Sequence, residues 1–290
     1  KKFLNNLYFN MFQINWKLKA LLYKIFSVLD LKKIFYLSQK YITKRSAVNI
    51  LEIDKSWKFH ADAVEKYRLK KILEIGAGKS LAQNIYFSYR FNNTIKQKVI
   101  DINKMIDFDL INQASDQISK ILKIKKKNAV KNITQLKEIF RIDYSAPYKL
   151  ENLNDTFDIC VSTTALEHFS IEDLQKYLGD LKKILTNNGL VSSAIDYSDH
   201  YSHTDKKISK LNYLKFTKEK WEKYNNLFLY QNRLRHQDYK KIFKNSGYTT
   251  QNIIVGPSLK PPNIINKDFD AANAETFIGW AYFLIKKNID

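Results

Sequence analysis

Short apolar runs alternate with longer segments of helical periodicity from Lys70 onward. Seven runs are predicted to be strands, at residues 71–76, 98–103, 139–144, 157–162, 189–197, 250–255 and 280–287. Because most of these runs are apolar throughout, they are typical of strands that are covered on both faces of a mainly parallel sheet. The segments Ser80–Arg90 and Ile171–Leu185 are predicted to be crossover helices, whereas a loop joins the last two strands. The pattern therefore predicts an α/β fold with a reversed final hairpin.

The N-terminal part of the chain has a different pattern. Its first 45 residues contain ten Lys or Arg and one acid, Asp30, and a helical apolar stripe runs through Leu21, Leu22, Ile25, Phe26 and Leu29. We predict a basic amphipathic helical extension over residues 1–56 and a main domain over residues 57–290. The extension is expected to be a lid over the main domain, and contact with an anionic membrane surface is the alternative.

The formal net charge of the chain is +20, from 49 basic and 29 acidic side chains. Such a charge suggests nucleic acid or an anionic membrane. However, lysine, asparagine and isoleucine are abundant throughout and glycine and proline are scarce. This general bias in composition accounts for the positive charge, so no polyanionic partner is expected. The single cysteine, Cys160, is expected to be a buried, inert thiol in a reducing compartment. No apolar segment approaches the ~18 residues of a membrane span. We expect a cytoplasmic protein, with peripheral membrane contact through the N-terminal segment as an alternative, and leave its oligomeric state open.

A two-glycine turn follows the first predicted strand, in the sequence KKILEIGAGKS. Gly76 and Gly78 are present, but Leu81 stands where a dinucleotide fingerprint has its third glycine, and Leu73 stands where a P-loop has its first. An acid therefore precedes a turn that lacks both phosphate-binding patterns. A second acid, Asp101, follows Gly76 at nearly the spacing of a ribose-binding carboxylate. These features predict a nucleoside ligand that carries positive charge.

Three segments in this order resemble the class I S-adenosylmethionine-dependent methyltransferases: LEIGAGKS, VIDIN and FDICVSTTALEHF. The resemblance covers residues 57–287, and it departs from the family pattern at Ser80, which replaces the last glycine of the turn. It implies a seven-stranded, mostly parallel, Rossmann-like sheet with an antiparallel last strand. It also implies S-adenosyl-L-methionine as cofactor and methyl transfer as activity.

The resemblance implies a set of cofactor-binding residues near the first two strands. Glu74 would approach the cofactor's amino group, the backbone of the turn would lie against its methionyl part, and Asp101 would hold the ribose. The residues implied in this part are Glu74, Gly76, Ala77, Gly78, Asp101 and, beside the adenine, Ile102.

Further cofactor contacts are expected from other elements. Asp143 is the best candidate for the adenine side, with Ser145 and Ala146 as alternatives. Ser162 and Thr163 are expected to face the sulfonium, and His60 is expected to reach the cofactor's carboxylate.

Candidate catalytic residues cluster after the fifth predicted strand, at the sheet edge where open α/β folds bind ligands. His200 is predicted to be a general base, oriented by Asp199 or Asp196, and His203 to bind substrate. The alternative is that these side chains cap a helix and line a wet loop.

A helical insert, about residues 198–247, is expected to cover the acceptor pocket. Its Arg233 and Arg235 are predicted to grip an anionic group of the substrate, unless they belong to an ordinary salt-bridged surface. Glu167 and His168 match half of an E-x-x-E-H metal motif found in some methyltransferases of this class, but residue 164 is threonine. No metal is therefore expected, and Glu167 and His168 are expected to stabilise the start of the helix after the fourth strand.

The function predicted is methyl transfer to a hydroxyl or amine of a small molecule, a sugar or surface-polysaccharide precursor. Two alternatives remain open at this point. One is an RNA methyltransferase that uses the basic surface, and the other is a non-catalytic binding module with the same fold.

Overall fold

The protein contains one seven-stranded sheet in the order β3-β2-β1-β4-β5-β7-β6. The computed structural model describes residues 14–31, 48–226 and 228–288. The strands are β1 (Lys71–Ile75), β2 (Lys96–Ile100), β3 (Ile142–Ser145), β4 (Phe157–Thr163), β5 (Leu185–Asp196), β6 (Tyr248–Val255) and β7 (Trp280–Lys287). Strands β1 to β5 pair in parallel, and β7 is antiparallel to both β5 and β6. The predicted seven-stranded sheet with a reversed last strand is confirmed.

Helices cover both faces of this sheet. The α-helices of the described residues, of which α1 and α7 lie apart from the sheet, are α1 (Trp16–Val28), α2 (Lys55–Lys66), α3 (Ala82–Arg90), α4 (Phe108–Leu122), α5 (Ile133–Phe140), α6 (Ile171–Ile184), α7 (Lys218–Glu222) and α8 (His236–Asn245). Helices α2 to α5 contribute to one buried apolar cluster, and α6 and α8 contribute to a second on the opposite face. Cys160 lies fully buried between helix α6 and the sheet, as expected.

The strand predicted at residues 139–144 begins later than expected. Its first two residues are the last turn of α5, and Arg141 ends that helix in the left-handed conformation with φ of 58°. Only then does β3 begin, at Ile142. The apolar run had combined a helix end with a strand start, which hydrophobicity alone does not separate.

The insert at residues 198–247 is largely not helical, contrary to the prediction. Its described part contains 3-10 turns at His200–His203 and Asn212–Lys215, the short helix α7, an extended segment, and α8. Amide side chains fix this part of the insert: Asn226 accepts from the backbone N–H groups of Phe228 and Leu229 at a turn, and Asn232 in the extended segment donates to the carbonyl oxygens of Leu166 and Phe169. Such local bonds compete with helix formation.

Helix α1 packs on the insert through its first turns. The backbone N–H of Trp16 donates to the Asp205 carboxylate at 3.0 Å, and the centroids of the Trp16 and Tyr224 rings are 4.6 Å apart. The predicted apolar stripe does not make this contact, because Leu21, Leu22, Ile25 and Leu29 are 39–60% exposed. The prediction of α1 as a lid stays a prediction. Among the described residues, no helix has the length and apolarity of a membrane span.

Candidate functional site

The turn after β1 requires its glycines. Gly76 and Gly78 both have φ of +71°, a conformation that other residues adopt at a cost in free energy. A Cβ atom at Gly76 would lie 3.1 Å from the Cβ of Ala165. The turn therefore lies directly against the segment that follows β4.

Asp101 is the first residue after β2 and lies beside this turn. Its side chain is 6% exposed, and its Oδ2 atom has no hydrogen-bond partner in the described part of the chain. Burial raises the pKa of Asp101 to about 6, although the nearby Tyr144 hydroxyl and Gly76 N–H oppose the rise. The neighbouring Ile102 is 77% exposed. At this point a buried hydrogen-bond acceptor without a donor among the described residues, Asp101 Oδ2, lies next to an exposed apolar residue, Ile102.

Glu74 is buried beneath α3 and does not point into the turn. Its carboxyl accepts a hydrogen bond of 2.7 Å from the Asn84 side chain. Burial raises the pKa of Glu74 to about 8, so the group is mostly protonated at neutral pH. The predicted approach of Glu74 to the cofactor's amino group is therefore corrected: side chains alternate across a strand, and this position faces the helix layer.

His60 is a structural residue, contrary to the prediction that it reaches a cofactor carboxylate. Its ring is fully buried, with Nδ1 2.6 Å from Ser192 Oγ and Nε2 3.0 Å from Thr163 Oγ1. Burial lowers the pKa of His60 to about 3, so the imidazole is neutral. A neutral, enclosed ring cannot pair with a carboxylate, and it joins α2 to strands β4 and β5 instead.

The two hydroxyl residues at the end of β4 are already engaged. Ser162 is buried and donates to Ser193 in β5 at 2.9 Å, which does not support its predicted place facing the sulfonium. Thr163 lies at the end of the strand and donates to Gln83 at 2.7 Å.

Asp143 lies within β3 and forms ion pairs with Lys137 at 2.8 Å and Lys98 at 3.2 Å. Its predicted place in an adenine pocket is corrected, because both partners hold it before the carboxyl end of the strand. Ser145 and Ala146, the alternatives, lie at that end.

Both predicted substrate arginines bind the protein itself. Arg235 is 1% exposed and donates to the carbonyl oxygens of Tyr197, Thr276 and Ile278. Arg233 donates to the Phe216 carbonyl oxygen at 2.7 Å. Neither guanidinium is arranged to grip a substrate anion, because each holds together backbone segments that are distant in sequence.

A cavity of about 240 Å³ lies at the carboxyl edge of β4 and β5 and contains much of the predicted catalytic cluster. It is lined by Lys19, Tyr23, His168, His200, His203, Phe228 and Leu229. Asp196 Oδ2 lies 3.6 Å from His200 Nε2 and 3.8 Å from His203 Nε2. Burial opposes ionisation of Asp196, but the nearby His200 ring and a hydrogen bond of 2.8 Å from the Ser198 backbone N–H leave its pKa below the usual value.

Asp199 does not orient His200. Its carboxyl is buried, accepts from the Tyr201 N–H at 2.8 Å and from the Asn212 side chain at 3.1 Å, and caps the 3-10 turn. Burial raises the pKa of Asp199 to about 6. Of the two predicted orienting acids, Asp196 is therefore the one near the imidazoles.

Glu167 was given only a structural role by the sequence, yet it lies in this cluster. Its Oε1 atom is 3.9 Å from His200 Nε2, and the ring of His168 lies 5.0 Å from that of His200. Burial raises the pKa of Glu167 well above its usual value. The available signal was topological: Glu167 and His168 follow β4, His200 follows β5, and the carboxyl ends of neighbouring parallel strands meet at one edge.

Comparison with known proteins gives only distant likenesses. No protein-family model and no curated protein matches the chain. The S-adenosylmethionine-dependent methyltransferase of Clostridium acetobutylicum ATCC 824 is 13% identical, with a TM-score of 0.44 over 89% of this chain and 99% of that one. The 1,6-didemethyltoxoflavin-N1-methyltransferase of Burkholderia thailandensis, solved with 1,6-didemethyltoxoflavin and S-adenosylhomocysteine, is 11% identical, with a TM-score of 0.47 over 90% of this chain and 89% of that one.

A candidate O-methyltransferase of Nostoc punctiforme PCC 73102 is 12% identical, with a TM-score of 0.45 over 80% of this chain, which spans only 55% of that protein's length. The strand order, the reversed β7, the glycine turn after β1 and the acid after β2 are observed directly. Together they give the chain the Rossmann-like methyltransferase fold that its sequence motifs imply.

Proposed function

We propose that this protein binds S-adenosyl-L-methionine beside the β1 turn and transfers its methyl group to a small molecule. The observation that carries the proposal is Asp101, whose buried Oδ2 atom has no donor in the described residues. Buried acceptors normally have partners, so this atom calls for one from a ligand. An acid after the second strand of such a sheet is placed to accept hydrogen bonds from ribose hydroxyls.

The chemistry of the turn favours a nucleoside without a pyrophosphate. The Gly76 backbone N–H, which a phosphate-binding turn would present to its ligand, lies close enough to the Asp101 carboxylate to lower its pKa. A carboxylate at this point repels a phosphate and attracts the positive charge of a sulfonium or ammonium group. The exposed Ile102 supplies an apolar surface next to the ribose position, as an adenine ring requires.

S-Adenosyl-L-methionine supplies an activated methyl group, so the protein has mainly to align the acceptor with it. The contact of Gly76 with Ala165 brings the turn against the segment that leads to His168. His168 and His200 line the cavity, which at about 240 Å³ suits a small polar acceptor. We extend the proposal to a hydroxyl or amine acceptor, such as a sugar precursor. The imidazoles near Asp196 would take up its proton.

Calorimetric titration with S-adenosylhomocysteine tests the cofactor part. We expect saturable binding by the unmodified chain and a loss of at least about tenfold in affinity for Asp101→Ala, because hydrogen bonds to a charged group contribute about 1.5–3 kcal/mol. Asp143→Asn is the matched control, since it changes an acid of the neighbouring strand whose partners are Lys98 and Lys137.

Two results would overturn this proposal. One is the absence of S-adenosylhomocysteine binding to the unmodified protein, which would favour a non-catalytic module. The other is equal affinity in Asp101→Ala and Asp143→Asn. Binding of NAD at comparable affinity would instead show that the turn accepts a pyrophosphate.

A further inference from the structure

The inner end of the cavity contains polar atoms that no protein group satisfies. Glu167 is 2% exposed, and neither of its carboxyl oxygens has a hydrogen-bond partner among residues 14–31, 48–226 and 228–288. The buried Nε2 atom of His200 also lacks a partner within hydrogen-bond distance there. Leaving such atoms unsatisfied is unfavourable, so a cluster of them indicates a ligand that they share.

His168 presents a third donor atom. Its Nδ1 lies 2.6 Å from the carbonyl oxygen of Tyr230, which can only accept, so the proton is on Nδ1 and Nε2 carries a lone pair. A backbone carbonyl on the second ring nitrogen is the usual way in which proteins orient a metal-binding histidine. The His168 ring is thus fixed in the form that binds a metal ion.

The three side chains are close enough to share one ion. One ligand atom from each of Glu167, His168 and His200 lies within 4.8 Å of the others. A metal ion with bonds of ~2 Å to imidazole nitrogen and carboxylate oxygen holds its ligands ~3–4 Å apart, so modest side-chain rotations would complete the site. Asp196, whose Oδ2 is 3.6 Å from His200 Nε2, adds a further negative group nearby.

We propose that Glu167, His168 and His200 bind a divalent transition-metal ion at the carboxyl edge of β4 and β5. Two imidazoles and one carboxylate suit Zn²⁺, Co²⁺, Fe²⁺ or Mn²⁺ better than Mg²⁺ or Ca²⁺, which prefer oxygen ligands. The sequence argued against a metal because residue 164 is threonine, but the third ligand comes from the segment after β5. Because His168 and His200 line the cavity, an acceptor bound in it would lie beside the ion.

This proposal does not depend on the proposed methyl transfer, because the three ligands lie outside the cofactor turn. If both hold, His200 is a metal ligand, and His203, which is 53% exposed, is the imidazole near Asp196 that does not bind the ion. An ion at this position would lower the pKa of a hydroxyl or water bound to it. A larger fraction of that group would then be in its deprotonated, nucleophilic form.

The test is a titration of the metal-stripped chain with Co²⁺, whose visible absorption reports the number and type of its ligands. We expect saturable 1:1 binding with nitrogen and oxygen ligands, displaced by Zn²⁺. Glu167→Gln, which keeps the size of the side chain, and His200→Ala are each expected to weaken binding at least about tenfold. His203→Gln is the matched control and is expected to leave affinity unchanged.

Thermal unfolding of the unmodified chain provides a second readout that needs no variant. Co²⁺ or Zn²⁺ should raise the midpoint in proportion to the logarithm of its free concentration once that concentration exceeds the dissociation constant. No saturable Co²⁺ binding, an equal loss of affinity in His203→Gln, or a preference for Mg²⁺ over Co²⁺ would each overturn the proposal. A failure of S-adenosylhomocysteine binding would leave this result unaffected.

Discussion

Replacing Glu74 by glutamine tests whether this carboxyl holds a proton in the folded protein. Burial raises its pKa to about 8 from a usual value of 4.5. Between these values the native state binds a proton that the unfolded state has released, so the free energy of unfolding falls as pH rises. The slope for one group is a little over 1 kcal/mol per pH unit. The loss of unfolding free energy is absent below the pKa of Glu74 in the unfolded chain and complete above its pKa in the folded protein.

The glutamine variant keeps an acceptor for the Asn84 side chain but has no proton to lose. The free energy of unfolding of Glu74→Gln minus that of the unmodified chain should therefore increase by about 3 kcal/mol between pH 5 and pH 7. It should level off above pH 8. The expected sign is stabilisation of the variant relative to the unmodified chain as pH rises.

Urea unfolding, followed by far-ultraviolet circular dichroism at pH 5, 6, 7 and 8.5, measures this difference directly, because urea is uncharged. Glu138→Gln, a change on an exposed part of α5, controls for the removal of a carboxyl group as such. Parallel pH profiles for Glu74→Gln and the unmodified chain would refute the reasoning, since they would show that Glu74 is ionised in the folded protein.

Other perturbations test other parts of the structure. S-Adenosylhomocysteine should bind about tenfold more weakly at pH 5 than at pH 7.5 if the carboxylate form of Asp101, with a pKa of about 6, accepts the ribose hydroxyls, and calorimetry would show a flat profile if it does not. Gly76→Ala should lower stability by about 1–2 kcal/mol, seen as a lower urea midpoint, because its φ is +71°. Arg235→Lys should cost about 3 kcal/mol by the same assay, as it removes donors from buried carbonyl oxygens, and an unchanged midpoint would contradict that role. Trp16→Ala should expose α1 to limited proteolysis, whereas a digestion pattern like that of the unmodified chain would show that other contacts hold the helix.

The sheet could be predicted from the sequence because its signals are local. Each strand is a short apolar run, and the loop before residue 280 in place of a crossover helix predicts the reversed β7. The insert could not be predicted in this way. Its apolar residues have helical spacing, but side chains such as Asn226 hydrogen-bond the neighbouring backbone and stabilise a turn in place of a helix.

The same distinction between local signals and distant contacts applies to the candidate site. The position of Asp101 after the second strand could be predicted, because the end of an apolar run is visible in the sequence, whereas its ribose-binding role stays a prediction. The roles of His60, Glu74 and Arg235 were misassigned because they depend on which distant groups surround each side chain. His60, for example, meets Ser192 and Thr163, more than a hundred residues along the chain. No local pattern contains that information.

The protonation of Glu74 has a consequence for the cofactor site. Glu74 and Asp101 lie close enough for the charge on Asp101 to contribute to the raised pKa of Glu74. If both were ionised, two buried negative charges would flank one turn, and each would oppose the other's ionisation. Because Glu74 keeps its proton to about pH 8, Asp101 can be ionised at neutral pH and accept hydrogen bonds from a ligand. The acid within β1 thus contributes by remaining neutral, rather than by attracting the cofactor's charge.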